Sequence, residues 1–278
     1  MNEEFCKVTR KKWIAHRGLQ RRTRRISDKS YDKDCPDVDV DKFVKKLEAT
    51  CQQMQDSDYF AQSLATLKES LCKLQTDNKP ETLKRLVCFG IGPFTRNFQA
   101  LHQLAFILSL QKEYQITEAF YFDPIFRQSE KEVLEKFNCL VMSENCEAKY
   151  EADIQTLFYM PHCPNCLTNN LLWKNWQGKY LKNIILINNS FESLACSKPE
   201  RLLRLDSSYI LDIMPYAQEL PLEDDYEVHN VFNDLSIHIF PESDLPEKTA
   251  EFWVEKEAPT YNDVEMISAA DFAKLSLE

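Results

Sequence analysis

The sequence predicts an α/β protein with a Rossmann-like, mostly parallel sheet that has helices on both faces and is preceded by two amphipathic helices. Three observations predict this fold. Short β-rich runs alternate with helix-length segments between residues 81 and 240. A pair of glycines stands where the first β-rich run ends, and two stretches before residue 80 have apolar residues at helical spacing.

The two amphipathic helices come first along the chain. Their apolar residues recur at intervals of three and four, which is the spacing of one helix face. The first set is Val40, Phe43, Val44 and Leu47, and the second is Leu64, Leu67, Leu71 and Leu74. The segment Asp56-Ser57-Asp58 between them suits a helix N-terminus. Because the repeat is too short for a coiled coil, we expect both helices to cover the sheet.

The alternating region follows. Strands are predicted at 84–89, 117–122, 139–142, 154–160 and 183–188, and helices at about 95–111, 127–137, 166–176 and 199–218. Strands separated by helices indicate parallel βαβ units. A last apolar stretch, from Val228 to Phe240, is predicted to supply an edge strand. The resulting domain plan is a basic flexible arm (1–37), a helical N-terminal extension (38–80), a Rossmann-like core (81–241) and an acidic C-terminal tail (242–278).

Charge is unevenly distributed along the chain. The net charge is −10, yet residues 1–25 contain nine Lys and Arg against two Glu. The acidic remainder makes nucleic acid an improbable partner for the core. The basic arm suits nuclear import or contact with an acidic partner, or is simply a solvated tail. No apolar run approaches the roughly 20 residues that span a bilayer, so no membrane association is expected, and the ten cysteines indicate a reducing, cytoplasmic or nuclear location.

Glycine is scarce and its placement is informative. The chain has four glycines, where average usage predicts about twenty. Two of them, Gly90 and Gly92, follow the first predicted strand and precede a helix, which is where α/β proteins place a ligand. The third glycine of a dinucleotide motif is replaced by Thr95, and no phosphate-loop Lys is present. A tight turn that binds nothing is the alternative.

Polar residues follow the other predicted strands. In a parallel sheet these strand ends share one edge, and open α/β sheets bind ligands outside that edge. The candidate ligand-binding residues there are Gly90, Gly92, Asp123, Glu144, Asn145, His162 and Asn189. Each has an ordinary alternative: Asp123 before Pro124 can start a turn, Asn189 can belong to a helix cap, and Glu144 and Asn145 can be solvated loop residues. His162 is the one candidate for acid–base catalysis, or else it caps a helix or binds a buried carbonyl.

The remaining chemistry is sparse. Cys163 and Cys166 form a CxxC next to His162, but no second pair completes a zinc site, so no metal is predicted. Haem ligation by His162 or Cys163 is chemically allowed. No serine lies in a nucleophile elbow. The cofactor is therefore open, with haem or a nucleotide-like ligand as the candidates.

Several motifs together resemble the "sensitivity to red light reduced" family. They are Phe89-Gly90-Ile91-Gly92, Gln103-Leu104-Ala105-Phe106, Tyr121-Phe122-Asp123-Pro124, Ser143-Glu144-Asn145, Phe158 to Cys163, Asn169 to Trp173, and Phe232-Asn233-Asp234 through His238. Trp13 and the cluster Arg21–Arg25 resemble the arginine-rich start of that family. Cys166 departs from its pattern, which weakens the CxxC interpretation. Through this resemblance Asn233 and Asp234 join the candidate ligand-binding set.

The resemblance implies a regulatory protein rather than an established enzyme. Plant members of the family act in light input to the circadian clock, and animal members are linked to clock-gene expression and haem biosynthesis, in cytoplasm and nucleus. We therefore expect a regulator that binds a small ligand or a protein partner at the strand-end cleft. The alternatives are an enzyme acting on a nucleotide-like or phosphorylated small molecule, and a pure interaction scaffold.

Overall fold

One mixed sheet organises the chain. In the computed structural model, described for residues 38–74, 83–247, 251–254, 257–261 and 266–275, the strands have the order β3-β2-β1-β4-β5-β7-β6. They are β1 (Arg85–Phe89), β2 (Glu118–Phe122), β3 (Leu140–Val141), β4 (Thr156–Met160), β5 (Ile184–Asn189), β6 (Gln218–Pro221) and β7 (Leu235–Ile239). Strands β1 to β5 pair in parallel, whereas β7 runs antiparallel to its neighbours β5 and β6. The prediction of a Rossmann-like, mostly parallel sheet is confirmed.

Helices connect the strands and cover both faces of the sheet. The α-helices among the described residues are α1 (Val40–Gln55), α2 (Asp58–Leu74), α3 (Phe98–Glu113), α4 (Gln128–Lys136), α5 (Asn165–Lys174), α6 (Gly178–Leu181), α7 (Phe191–Ser197), α8 (Glu200–Leu203), α9 (Ser208–Ile213) and α10 (Ala269–Leu275). Side chains along β1 alternate between two hydrophobic cores, one on each face of the sheet. Leu86 and Cys88 face the first core, and Val87 and Phe89 face the second core. In the described ranges no helix is both long and apolar enough to span a bilayer.

The two predicted amphipathic helices are present and cover the sheet. Helix α1 begins at Val40, after the cap Asp39, whose side chain accepts a hydrogen bond from the Lys42 amide at 3.0 Å. Its buried residues Phe43 and Leu47 belong to the same core as the strand residues Leu86 and Tyr121. The helices therefore bury one face of the main sheet, and each follows the predicted apolar spacing.

Two predictions about the chain after residue 190 were wrong in detail. The stretch 228–240 supplies β7, which lies inside the sheet, while the edge is the short strand β6. The helix predicted at 199–218 is divided into α8, α9 and a 3₁₀ turn at Met214–Tyr216. Pro215 lacks an amide hydrogen, so the helix cannot continue beyond α9. Strand β6 was not predicted because its four residues are too few to show a clear alternation.

The described part of the C-terminal region packs along the second core. Trp176 donates to the carbonyl of Phe252 at 2.7 Å and contacts Trp253 through its ring. Further along, Phe272 on α10 meets Phe122 edge-to-face with ring centroids 5.3 Å apart. The basic arm at 1–37, with its cluster Arg21–Arg25, lies outside the described residues. All described residues belong to one compact unit that begins at Val38.

Candidate functional site at the strand-end edge

The glycine turn after β1 uses its two glycines differently. Both have positive φ, 71° at Gly90 and 80° at Gly92, a conformation that glycine adopts without steric cost. A Cβ on Gly90 would collide with the sulfur of Cys163, whereas a Cβ on Gly92 would meet no atom within 4 Å. Gly90 is therefore required for packing, and Gly92 faces open space.

The turn is longer than the sequence predicted. Helix α3 begins at Phe98, after the cap Asn97, whose side chain accepts from the Ala100 amide at 3.0 Å. Most of the turn's amides donate within the chain: Gly90 to Phe122, Gly92 to Asp123, Phe94 to Gly92, Thr95 to Glu130, and Arg96 and Asn97 to Pro93. The amide groups expected at a helix N-terminus next to Gly92 are thus already used.

Asp123 lies at the end of β2 and is the central side chain of the edge. Its Oδ2 accepts from the Gly92 amide at 2.8 Å, and its Oδ1 accepts from the Ile125 amide at 3.0 Å. The side chain is almost wholly buried, with 8% of its surface exposed. Burial raises the pKa of this carboxyl to about 6, although the two amide bonds work in the opposite direction.

A second acidic residue, Glu130, supports the same turn. Its Oε1 accepts from the Thr95 hydroxyl at 2.8 Å and from the Thr95 amide at 3.2 Å. Its Oε2 accepts from the Arg127 amide at 2.9 Å, three residues back at the start of α4. Glu130 was not among the residues predicted from the sequence. A signal was present, because Glu at the third position of a helix commonly binds the amide of the capping residue.

The turn after β4 places His162 beside a distant loop. His162 has φ of 54°, and its amide donates to Asn189 Oδ1 at 2.9 Å. Its Nε2 lies 3.1 Å from the carbonyl oxygen of Val231, which also accepts from the side-chain amide of Gln103 at 2.9 Å. Asn189 in turn donates to the Cys163 carbonyl at 3.3 Å. Asn189 therefore fixes this turn through both of its side-chain groups. His162 contacts a backbone carbonyl, as one of the alternatives from the sequence predicted.

Asn233 and Asp234 reach the same edge from the opposite direction. They precede β7, and because β7 is antiparallel to β5 its first residues lie beside the end of β5. The Ser190 amide donates to the Asp234 carbonyl at 2.8 Å. Ser190 also caps α7, since its hydroxyl accepts from the Ser193 amide at 3.0 Å. The alternative of a helix cap after this strand is thus confirmed, with Ser190 as the capping residue.

Glu144 and Asn145 lie at this edge but at its far end, after β3. Asn145 donates to the carbonyl of Ile267 at 2.8 Å and accepts from the Glu147 amide at 2.9 Å. Glu147 accepts from the Ala269 amide at 2.7 Å, at the start of α10. Asn145 therefore attaches the C-terminal segment, and Glu144 is exposed to solvent.

A buried polar group on the second face was not predicted. His238 on β7 is fully buried, stacks on Phe191 with ring centroids 3.8 Å apart, and places Nδ1 3.3 Å from the Leu186 carbonyl. Glu219 on β6 lies 3.6 Å from its Nε2. Burial disfavours the charge of Glu219, but contacts with His238, Ser190 and Ser236 outweigh it and lower the pKa to about 2. His238 and Glu219 therefore join β7 to its two neighbours, β5 and β6.

Two cavities lie at the opposite edge of the sheet. One of about 740 Å³ is bordered by Gln55, Lys112, Thr117 and Asn138, next to the starts of β2 and β3. Another of about 610 Å³ is bordered by Gly178, Leu245 and Trp253. Open α/β sheets bind ligands at the other edge, where the buried carboxyl of Asp123 also lies. The strand-end edge is therefore the better candidate.

Haem does not fit the residues proposed to ligate it. The ring nitrogen Nε2 of His162 is occupied by the Val231 carbonyl. The Cys163 thiol is buried against Gly90 and lies 3.4 Å from the Phe89 carbonyl, and burial raises its pKa far above the usual range. A thiolate ligand to iron would thus be disfavoured. Each side chain would have to leave its present contacts to reach a haem.

The fold and the strand-end residues define a Rossmann-like α/β protein with a buried carboxyl, that of Asp123, directly after β2. The SRR1 domain model matches residues 46–239. This chain belongs to the SRR1 family.

Relatives from three organisms agree with that assignment. The chain is 46% identical to the SRR1-like protein of Drosophila melanogaster over 279 residues, covering 99% of this chain and 98% of the fly protein. It is 32% identical to the SRR1-like protein of Mus musculus, covering 64% and 83%. It is 29% identical to Protein SENSITIVITY TO RED LIGHT REDUCED 1 of Arabidopsis thaliana, covering 76% and 82%.

Two solved structures are remotely similar. They are the plantazolicin methyltransferase BpumL in complex with a monoazolic desmethylPZN analog and SAH, and the SAH-bound Podospora anserina methyltransferase PaMTH1. Each has a TM-score of 0.35 and 12% sequence identity; the matches cover 73% and 86% of this chain and 99% of each structure. The fold assignment rests on the sheet order and strand directions themselves.

Proposed function

We propose that this SRR1-family protein is a regulator, acting in light input to the circadian clock and in haem biosynthesis, that responds to a small ligand bound at the strand-end edge around Asp123. The name of the Arabidopsis relative supports a role in the light response. The candidate ligand-binding residues remain Gly90, Gly92, Asp123, Glu144, Asn145, His162, Asn189, Asn233 and Asp234. Among them, Asp123 and Gly92 form the centre of the site.

The observation that carries this proposal is the buried carboxyl of Asp123 beside the open space at Gly92. An ionised carboxylate offers about four acceptor positions, and backbone amides use two of them. A nearly buried acid with unused acceptor positions at the carboxyl ends of parallel strands is typical of a ligand site.

An enzymatic role is the second candidate, and the same residue favours it. The pKa of Asp123 is raised to about 6 by burial, so this carboxyl can hold or release a proton near neutral pH. His162, the candidate from the sequence, is instead bonded through Nε2 to the Val231 carbonyl. In this version Asp123 is the acid–base group and His162 a positioning residue.

The first experiment is a thermal-shift panel of metabolites, nucleosides and nucleotides with the purified protein. A ligand that binds only the native state at a hundredfold excess over its Kd adds about 2.7 kcal/mol to the free energy of unfolding. We expect at least one panel member to raise the Tm of the wild type and of Asp41→Asn, an exposed acid on α1, but not of Asp123→Asn. Gly90→Val is a poor probe because the added side chain collides with Cys163.

A panel without any shift would contradict ligand binding and favour the interaction scaffold. A shift that survives in Asp123→Asn would place the ligand elsewhere, for example in the cavity of about 740 Å³. The regulatory part is tested separately in cells that lack the protein. There, wild type should restore rhythmic gene expression and Asp123→Asn, expressed at equal level, should not.

A further inference from the structure

We propose that the ligand of the strand-end site is a nucleoside without a phosphate group, whose ribose hydroxyls bind the carboxylate of Asp123. The inference rests on the proposed function and narrows the chemical class of its ligand. It is carried by the position of Asp123, by the open space at Gly92 and by the donors and acceptors of the glycine turn.

The position of Asp123 indicates a sugar hydroxyl. In Rossmann-type sheets the acidic residue at the end of the second strand accepts hydrogen bonds from ribose hydroxyls. Asp123 immediately follows β2, and β2 pairs with β1 in register as far as Phe89 and Phe122. The Gly92 amide at 2.8 Å fixes the carboxylate next to the open space. Two hydroxyls of a ribose are the right donors for its unused acceptor positions.

The turn itself lacks what a phosphate requires. Dinucleotide and phosphate sites bind the anion with free backbone amides at a helix N-terminus. Here the amides of Gly90, Gly92 and Thr95 donate to protein acceptors, and two of those acceptors are the side chains of Asp123 and Glu130. Helix α3 starts only at Phe98. A phosphate at this turn would face acceptors rather than donors.

Charge points in the same direction. Two acidic side chains, Asp123 and Glu130, are bonded directly to the turn. Between Gly90 and Asn97 the sequence provides one basic side chain, Arg96, which is exposed. An anionic phosphate next to the Asp123 carboxylate would be repelled, and a neutral nucleoside would not.

The test is isothermal titration calorimetry of the full chain with adenosine, guanosine, cytidine and uridine, and with the 5′-monophosphate of each. We expect at least one nucleoside to bind, its monophosphate to bind about tenfold more weakly or worse, and its 2′,3′-dideoxy analogue to lose a similar factor. Asp123→Asn should lower the affinity for that nucleoside about tenfold, while Asp41→Asn and Arg96→Ala leave it unchanged. The analogue series tests the proposal even if Asp123→Asn fails to fold.

The outcomes separate this inference from the broader function. A monophosphate that binds as tightly as its nucleoside overturns the inference but keeps a ligand at Asp123. The same holds for a monophosphate that binds more tightly than its nucleoside in the wild type but not in Arg96→Ala. Equal binding of the dideoxy analogue overturns the role of the ribose hydroxyls. If none of the four nucleosides binds while another panel compound gives an Asp123-dependent shift, the inference fails and the proposed function stands.

Discussion

Burial and hydrogen bonding act on the Asp123 carboxyl in opposite directions. Two backbone amides favour its charged form, while loss of contact with water favours the neutral form. The second effect is larger, so the pKa rises from 3.8 to about 6. A group whose pKa is higher in the folded than in the unfolded chain stabilises the fold below its unfolded pKa, and that stabilisation is lost as the pH rises through the folded pKa.

The first prediction follows from this sign. Relative to Asp123→Asn, the free energy of unfolding of the wild type should fall by about 2 kcal/mol between about pH 4 and pH 7, because over most of that window the native carboxyl keeps a proton that the unfolded chain has already released. Urea unfolding of both proteins at a series of pH values measures the difference. A constant difference across the window would show that burial does not disfavour the charge.

Much of the candidate site could be predicted at this level, and the missing part has a physical cause. The strand-end rule located Asp123, Gly92 and His162 on one edge because parallel strands end together. It could not show that Asn189 fixes the turn after β4, or that the Gly92 amide is already bonded. Those contacts join residues 27 and 31 positions apart in the chain, and no local pattern encodes them.

The turn between β1 and α3 is the element where glycine usage can be tested directly. Gly90 and Gly92 have nearly the same φ, so alanine carries a similar backbone cost at each, about 1–2 kcal/mol. They differ in surroundings, since only Gly90 is in contact with Cys163. We predict that Gly90→Ala lowers the free energy of unfolding by about 1–3 kcal/mol more than Gly92→Ala.

A double-mutant cycle provides the control for that prediction. Combining Gly90→Ala with Cys163→Ala removes the sulfur and should recover most of the extra loss, whereas combining Gly92→Ala with Cys163→Ala should be additive. Chemical denaturation of the five variants gives the coupling energy. Equal destabilisation by the two alanines would mean that the turn relaxes away from Cys163 at no cost.

Prediction of secondary structure succeeded for most of the strands and long helices, and it failed for short elements after residue 190. Strands β1 to β5 all lie within two residues of their predicted limits. Helix α7 was missed because only its first residue, Phe191, is buried. Strand β6 was missed because four residues show too little alternation. Strand order after β5 is a tertiary property, and sequence alone placed β7 at the edge.

The molecule as a whole is held together by segments that lie far apart in the chain. Helix α2 meets the loop before β7, where Tyr59 stacks on Phe232 with ring centroids 4.5 Å apart and Gln62 donates to Asp225 at 3.1 Å. At the other face, Tyr261 donates to Asn170 Oδ1 at 2.9 Å and accepts from Asn169 at 3.0 Å. The first and last described segments thus border the same sheet on different faces.

The last prediction concerns that C-terminal attachment. Tyr261→Phe leaves the buried amides of Asn169 and Asn170 without this partner, so the free energy of unfolding should fall by about 1–2 kcal/mol. Amide hydrogen exchange should also become faster at Ala269, because its amide donates to Glu147 from the segment that is loosened. Tyr180→Phe, a half-buried tyrosine on α6, is the matched control. Unchanged exchange in Tyr261→Phe would mean that the other contacts suffice to anchor the segment.

The contact between Gly90 and Cys163 also makes this cysteine a reporter. An alkylating reagent has no room to approach the sulfur while the turn is closed, and burial keeps the thiol protonated. Cys72 and Cys196 are exposed and should be modified at once. The rate at which Cys163 is modified, measured by mass spectrometry of its peptide, would therefore report how often this turn opens in the native protein. A compound bound against this turn would hold it closed and slow the alkylation of Cys163.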